Sequence, residues 1–176
     1  MNRWGKQIKR LNIMYALELD LSGLKFYFSL SGYVKNGREL DEWCNVTITL
    51  SGRMLNYQRI RDNILESSEV ENLIEWLEDK DTEHLPFYEP YIEFCYKIGP
   101  NSIEPSVYMR VNLYDGGATT DNWVEVSLCE EEVQYLITYL KLVTRQIKEN
   151  DEQVQKMLVD NILVEDYKKH YEKDWW

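Results

Sequence analysis

The sequence predicts an α+β fold: one domain over residues 1–176, built on a mainly antiparallel sheet of about six to seven strands. A short acidic helix and two longer C-terminal helices are expected to pack on one face of that sheet. Three observations carry the prediction. Apolar residues alternate with polar ones in several short runs bounded by turn signals. The spacing changes to a helical period over Ser68–Lys80 and again after Cys129. The runs are joined by tight turns, too short for parallel crossovers, so neighbouring strands pair antiparallel.

The elements follow in order. Residues 1–10 are basic and aperiodic and read as an arm. From Ile13 the residues Tyr15, Leu17, Leu19 and Leu21 fall on one side of a strand. Ser22-Gly23 is a turn. The next strand places Leu24, Phe26, Phe28 and Leu30 inward. Asn36-Gly37 is a tight-turn signal, because both residues tolerate positive φ. A third strand, Trp43 to Leu50, sets Cys44, Val46, Ile48 and Leu50 against a wet face of Asn45, Thr47, Thr49 and Ser51. Arg53 to Ile60 reads as a shorter strand containing Met54 and Tyr57.

The acidic helix starts at Ser68, which forms a capping box with Glu71. Val70, Leu73, Ile74 and Leu77 make its apolar stripe, with Trp76 alongside. Its other faces carry Glu69, Glu71, Glu75, Glu78 and Asp79, with Asp81 beyond and Lys80 almost the sole counter-charge. Acids in the first turn suit the helix dipole, whereas Glu78 and Asp79 at the far end oppose it. Helix stability does not call for acids there, which favours recognition.

After the proline-punctuated link Leu85–Pro90, strands resume with Ile92, Phe94, Tyr96 and Ile98 on one face. Val107, Met109, Val111 and Leu113 define the next strand, and Val124, Val126 and Leu128 the last. A long helix from Glu130 to Lys148 buries Val133, Leu136, Ile137, Leu140, Val143 and Ile147. Residues 149–176 are expected to add a further helix ending in Trp175-Trp176.

Composition limits the function classes. A formal charge of -11 argues against direct nucleic-acid binding, which needs a positive face, and against anionic membranes. A basic protein partner fits the sign of the field. Cys44, Cys95 and Cys129 lack any CxxC spacing, so neither a zinc site nor a disulfide framework is indicated. A reducing, cytoplasmic setting is expected, with no signal peptide and no spanning segment.

No catalytic constellation emerges. None of the thiols is spaced to meet His84 or His170 as a base, so they read as small hydrophobes or surface residues. Carboxylates at 75, 78 and 79 read as a solvated face rather than a metal cage. The loop Asp115–Asp121 lacks the lysine and following helix of a phosphate loop. No cofactor, metal or catalytic residue is therefore expected. The outward aromatics Tyr27, Tyr33, Tyr91, Tyr108, Tyr114 and Trp123 suit either a binding patch or cross-strand packing.

The order of these parts resembles the WapI-type immunity proteins of bacteria. Four stretches carry the resemblance: Trp43-Cys-Asn-Val-Thr-Ile48, Val70-Glu-Asn-Leu-Ile-Glu-Trp-Leu77, Phe87-Tyr-Glu-Pro-Tyr-Ile-Glu-Phe94 and Leu128-Cys-Glu-Glu-Glu-Val-Gln-Tyr-Leu136. It covers Leu11 to Ile147, with Glu89-Pro90 its most distinctive element. The resemblance implies a small cytoplasmic protein that binds a cognate polymorphic toxin domain without catalysis. In the best-known case that toxin domain cleaves tRNA. The acidic helix then supplies the candidate partner-binding residues Glu69, Glu71, Glu75, Glu78, Asp79 and Asp81, with Trp76 and Tyr91 as aromatic anchors. Two rivals stand beside this reading. One is an interaction module forming homo-oligomers through an exposed sheet face or the Trp175-Trp176 end. The other is an enzyme with a cleft between sheet and helices.

Overall fold

Turn chemistry sets the first hairpin. Ser22 and Gly23 both take positive φ (56° and 90°), which lets a two-residue turn follow the strand twist. Gly23 N–H donates to Asp20 Oδ1 at 2.7 Å. The turn joins β1 (Tyr15–Leu21) to β2 (Leu24–Ser31), paired from Leu21↔Leu24 to Ala16↔Ser29. The computed structural model describes residues 14–35, 42–115 and 118–166. The basic arm, the Asn36-Gly37 turn and the Trp175-Trp176 end lie outside them.

β3 (Trp43–Ser51) and β4 (Asn56–Glu66) extend this sheet, and α1 (Ser67–Asp79) follows β4 without a loop. Then come β5 (His84–Leu85), β6 (Ile92–Ile98), β7 (Pro105–Asp115) and β8 (Ala118–Leu128). α2 (Glu130–Val143), α3 (Glu152–Val159) and β9 (Leu163–Glu165) complete the described chain. The α+β class and the antiparallel pairing are as the sequence predicts. The strands divide into two sheets, however, ordered β4-β3-β2-β1-β9 and β5-β6-β7-β8 among the described residues. Among the described residues no ladder joins β4 to the second sheet. Tyr57 Oη bridges instead, donating to Asn112 C=O and accepting from Tyr114 N–H, each at 3.4 Å.

One core serves both sheets. Phe26 and Phe28 of β2, Leu65 of β4, Leu73 of α1, Ile92 and Phe94 of β6 and Leu136 of α2 converge on the same apolar gap. The predicted inward residues of β1, β2 and β3 from Leu17 onward are buried, apart from half-buried Leu24. α2 goes further than an amphipathic helix: Thr138 and Tyr139 are buried together with its stripe. Tyr139 meets Phe28 edge-on at 5.8 Å, and its hydroxyl accepts Leu30 N–H at 2.8 Å and donates to Tyr15 C=O at 3.2 Å. A buried tyrosine needs such partners, and these tie α2 to the first hairpin.

Several boundaries depart from the sequence prediction. β4 begins at Asn56 and runs to Glu66; Met54, placed in that strand, lies in the preceding turn with 99% of its surface exposed. Thr47 is buried rather than wet, opposite Ser29, which is also buried. His84 belongs to a short edge strand and not a loop, while Ile98 is exposed at the end of β6. α2 stops at Val143 because Arg145 adopts a left-handed conformation (φ 60°). Gln146 N–H then bonds Lys141 C=O at 2.8 Å and Arg145 N–H bonds Leu142 C=O at 3.1 Å, a Schellman end. α3 ends the same way at Asn161 (φ 56°), with Ile162 N–H on Met157 C=O at 2.8 Å. Residues 163–165, expected in a continuing helix, therefore pair with β1 as Leu17↔Leu163, Ala16↔Val164 and Tyr15↔Glu165. No helix among the described residues is long and apolar enough to cross a membrane.

Candidate partner-binding surface

The first turn of α1 is built by Glu66 and Glu69 rather than by Ser68 and Glu71. Glu66 is the N-cap residue, with extended backbone (φ -78°, ψ 157°). Its N–H donates to Glu69 Oε2 at 2.8 Å, closing a capping box two residues earlier than the serine suggests. The second Glu69 oxygen accepts Tyr88 N–H at 2.6 Å, so one carboxylate fastens the link before β6 to the helix start. Glu69, Leu73 and Trp76 lie at i, i+4 and i+7, which is the inward row of the helix. Glu69 is 4% exposed and Trp76 3%, so neither belongs to the outer acidic face assigned to them. Burial pushes the Glu69 carboxyl above its usual range against the pull of its two backbone hydrogen bonds. Trp76 packs on Phe94 with ring centres 6.5 Å apart and donates its indole N–H to Thr82, at 3.0 Å to the hydroxyl and 3.1 Å to the carbonyl.

The outer row is Glu71, Glu75 and Glu78, again at i, i+4 and i+7, with Asp79 beside Glu75. Glu75, Glu78, Asp79 and Asp81 are exposed, and Glu71 is half-buried under a hydrogen bond from the Tyr33 hydroxyl. That bond and burial hold the Tyr33 phenol well above its usual pKa, burial being the larger cause. The last turn of α1 contains no basic residue. Two lysines answer part of the dipole mismatch from outside it. Lys80, left-handed at φ 50°, donates Nζ to Leu77 C=O at 2.8 Å, and Lys141 of α2 pairs with Glu78. Glu75, Asp79 and Asp81 join no ion pair among the described residues.

Tyr91 stands apart from this face. It stacks on Tyr114 at 4.1 Å, and the Arg59 guanidinium lies 5.1 Å from its ring centre and donates to its hydroxyl at 3.2 Å. Arg59 also pairs with Asp62 at 2.8 Å. Other outward aromatics are engaged in packing as well. Lys97 lies over Tyr108 and Arg110 over Trp123, and both cations bond Glu125. Burial alone would raise the Glu125 carboxyl, but Lys97 and Arg110 together hold it below its usual range.

Among the described residues the thiols do not assemble a nucleophilic site; His170 lies outside those residues. Cys44 is buried beside Ser67, 3.7 Å from its hydroxyl, and burial raises its pKa to about 11. His84 and Cys95 are register partners on β5 and β6, a pairing the linear spacing does not reveal. No hydrogen bond joins them among the described residues, and burial pushes the Cys95 thiol up, away from the thiolate that attack requires. No group of three or more His, Cys, Asp or Glu is placed to hold a metal ion among the described residues.

The family model described as "Immunity protein WapI-like family" matches residues 16–148. The chain belongs to that family. The match runs from Ala16 in β1 to Lys148 beyond α2, so α1, the Glu89-Pro90 link and strands β1 to β8 fall within it, while α3 and β9 lie beyond it. A search of curated protein sequences gave no match.

Proposed function

We propose that this WapI-like protein is a non-catalytic inhibitor of a cognate toxin domain with a basic, nuclease-type surface, which it covers with the outer face of α1. Glu71, Glu75, Glu78, Asp79 and Asp81 supply the field in this reading. The supporting observation is that Glu75, Asp79 and Asp81 are exposed and join no ion pair among the described residues, and that Asp79 sits in the last turn of α1, where the helix dipole disfavours a negative charge. Membership of an immunity family implies a protein partner, and the charge of -11 favours a cationic one.

The experiment is to mix the chain with the toxin domain encoded by the adjacent gene, and to repeat it with Glu75→Lys/Asp79→Lys. Each lost interfacial charge contact is worth about 1 kcal/mol, so the double reversal weakens binding by roughly tenfold or more. Protection of cells against the toxin falls in parallel. The absence of any complex between wild-type protein and that domain at micromolar concentration contradicts the proposal.

A further inference from the structure

We infer that the free edge of β8 is a second docking surface, one that takes up an extended basic segment of a partner as an added strand. Sheet edges are hazardous because their backbone N–H and C=O groups stand ready to pair, and proteins blunt them. Of the four sheet edges among the described residues, three are blunted or engaged. β5 has two residues and β9 has three. β4 is long, but its ladder to β3 is irregular at two points, and Tyr57 and Arg59 tie it to the second sheet.

β8 is different. It spans 11 residues, and from Trp123↔Asn112 to Leu128↔Val107 its register with β7 is unbroken. Over that stretch no other strand pairs with it among the described residues. Its inward Val124 and Val126 remain half-buried, since the sheet ends there, and Trp123 is 52% exposed. A strand added at this edge would pair the unused backbone groups and finish covering those valines.

Charge selects the occupant. Asp121 and Glu130 flank the regular stretch, both exposed and joined to no ion pair among the described residues. Glu125, the single charge within it, is already met by Lys97 and Arg110. A second copy would bring the same acids and another net charge of -11 to the edge, whereas a segment alternating apolar residues with Lys or Arg meets them favourably.

The test needs no toxin and does not depend on the α1 surface. Two synthetic peptides of about ten residues, one alternating Val with Lys and the other Val with Glu, are added to the full chain, and amide exchange is read residue by residue. The lysine peptide is expected to slow exchange of the unpaired β8 amides between Trp123 and Leu128 by roughly tenfold, with β5 and β9 unchanged. Ser127→Lys, at an exposed position, reduces that effect, and Glu75→Lys/Asp79→Lys leaves it intact. The inference is overturned if neither peptide protects β8, if both do so equally, or if Ser127→Lys makes no difference. Protection that rises with protein concentration without peptide overturns it in favour of self-pairing. Peptide protection in a chain that binds no toxin would count against the proposed inhibitor role alone.

Discussion

Glu69 keeps its carboxylate inside the fold, where it holds Glu66 N–H and Tyr88 N–H. Its charged form is disfavoured by burial and by the neighbouring Glu66 and Glu89, so its folded pKa lies above the unfolded one. The folded state therefore binds the proton more tightly. Its contribution is favourable below the unfolded value and is lost as pH rises through the folded value. Urea titrations of wild type and Glu69→Gln at several pH values check this: wild type should lose ground relative to the variant as pH rises from acid to neutral. A constant difference would mean that the carboxylate is not perturbed. The inward position of Glu69 was legible in principle, since it shares the i, i+4, i+7 row with Leu73 and Trp76. The link it fastens was not, because Tyr88 is distant in sequence. Tyr139 follows the same logic without a charge. Tyr139→Phe strands the buried Leu30 N–H, and the expected loss is about 1–3 kcal/mol by chemical denaturation. A neutral result would require another partner for that amide.

Helix ends show where pattern reading stops. The apolar stripes of α1 and α2 and the alternation of β1 to β3 were readable, because periodicity reports which face is buried. The termini were not. α2 closes on Arg145, a residue that carries no glycine signal, and the chain leaves the helix although Ile147 continues the stripe. Asn161 is an ordinary left-handed closer and was the available hint that α3 is short, leaving Leu163–Glu165 free to pair with β1. The division into two sheets was hidden for a different reason: strand pairing is non-local, and alternation looks the same in either sheet. A left-handed non-glycine residue carries a steric cost, so Arg145→Gly should raise stability by about 1 kcal/mol in thermal or urea unfolding. Destabilisation instead would show that the arginine side chain contributes more than its backbone costs. By comparison the Glu78–Lys141 pair between α1 and α2 is partly exposed, and Lys141→Ala should cost about 0–1 kcal/mol.

At the scale of the molecule, the sign of the charge was legible and its placement only partly so. Of the acids assigned to the partner, Glu69 is internal and Glu71 is clamped by Tyr33, which leaves Glu75, Glu78, Asp79 and Asp81 exposed. Trp76 and Tyr91, the assigned anchors, are engaged inside the fold and against Arg59. What remains is a surface whose contribution is mainly long-range. Such a surface acts first on encounter: it raises the association rate of a cationic partner and is screened once the Debye length falls below the separation of the charges. That length is about 10 Å at 0.1 M salt and about 3 Å at 1 M. Dissociation depends on short-range contacts and is much less sensitive. Stopped-flow mixing with the cognate toxin domain across that range should thus show the association rate falling by roughly tenfold or more while the dissociation rate changes little. Glu75→Lys/Asp79→Lys should flatten the salt dependence of association. An association rate indifferent to salt would remove the field from the mechanism and leave the uncharged contacts, including any strand added at β8, to account for binding.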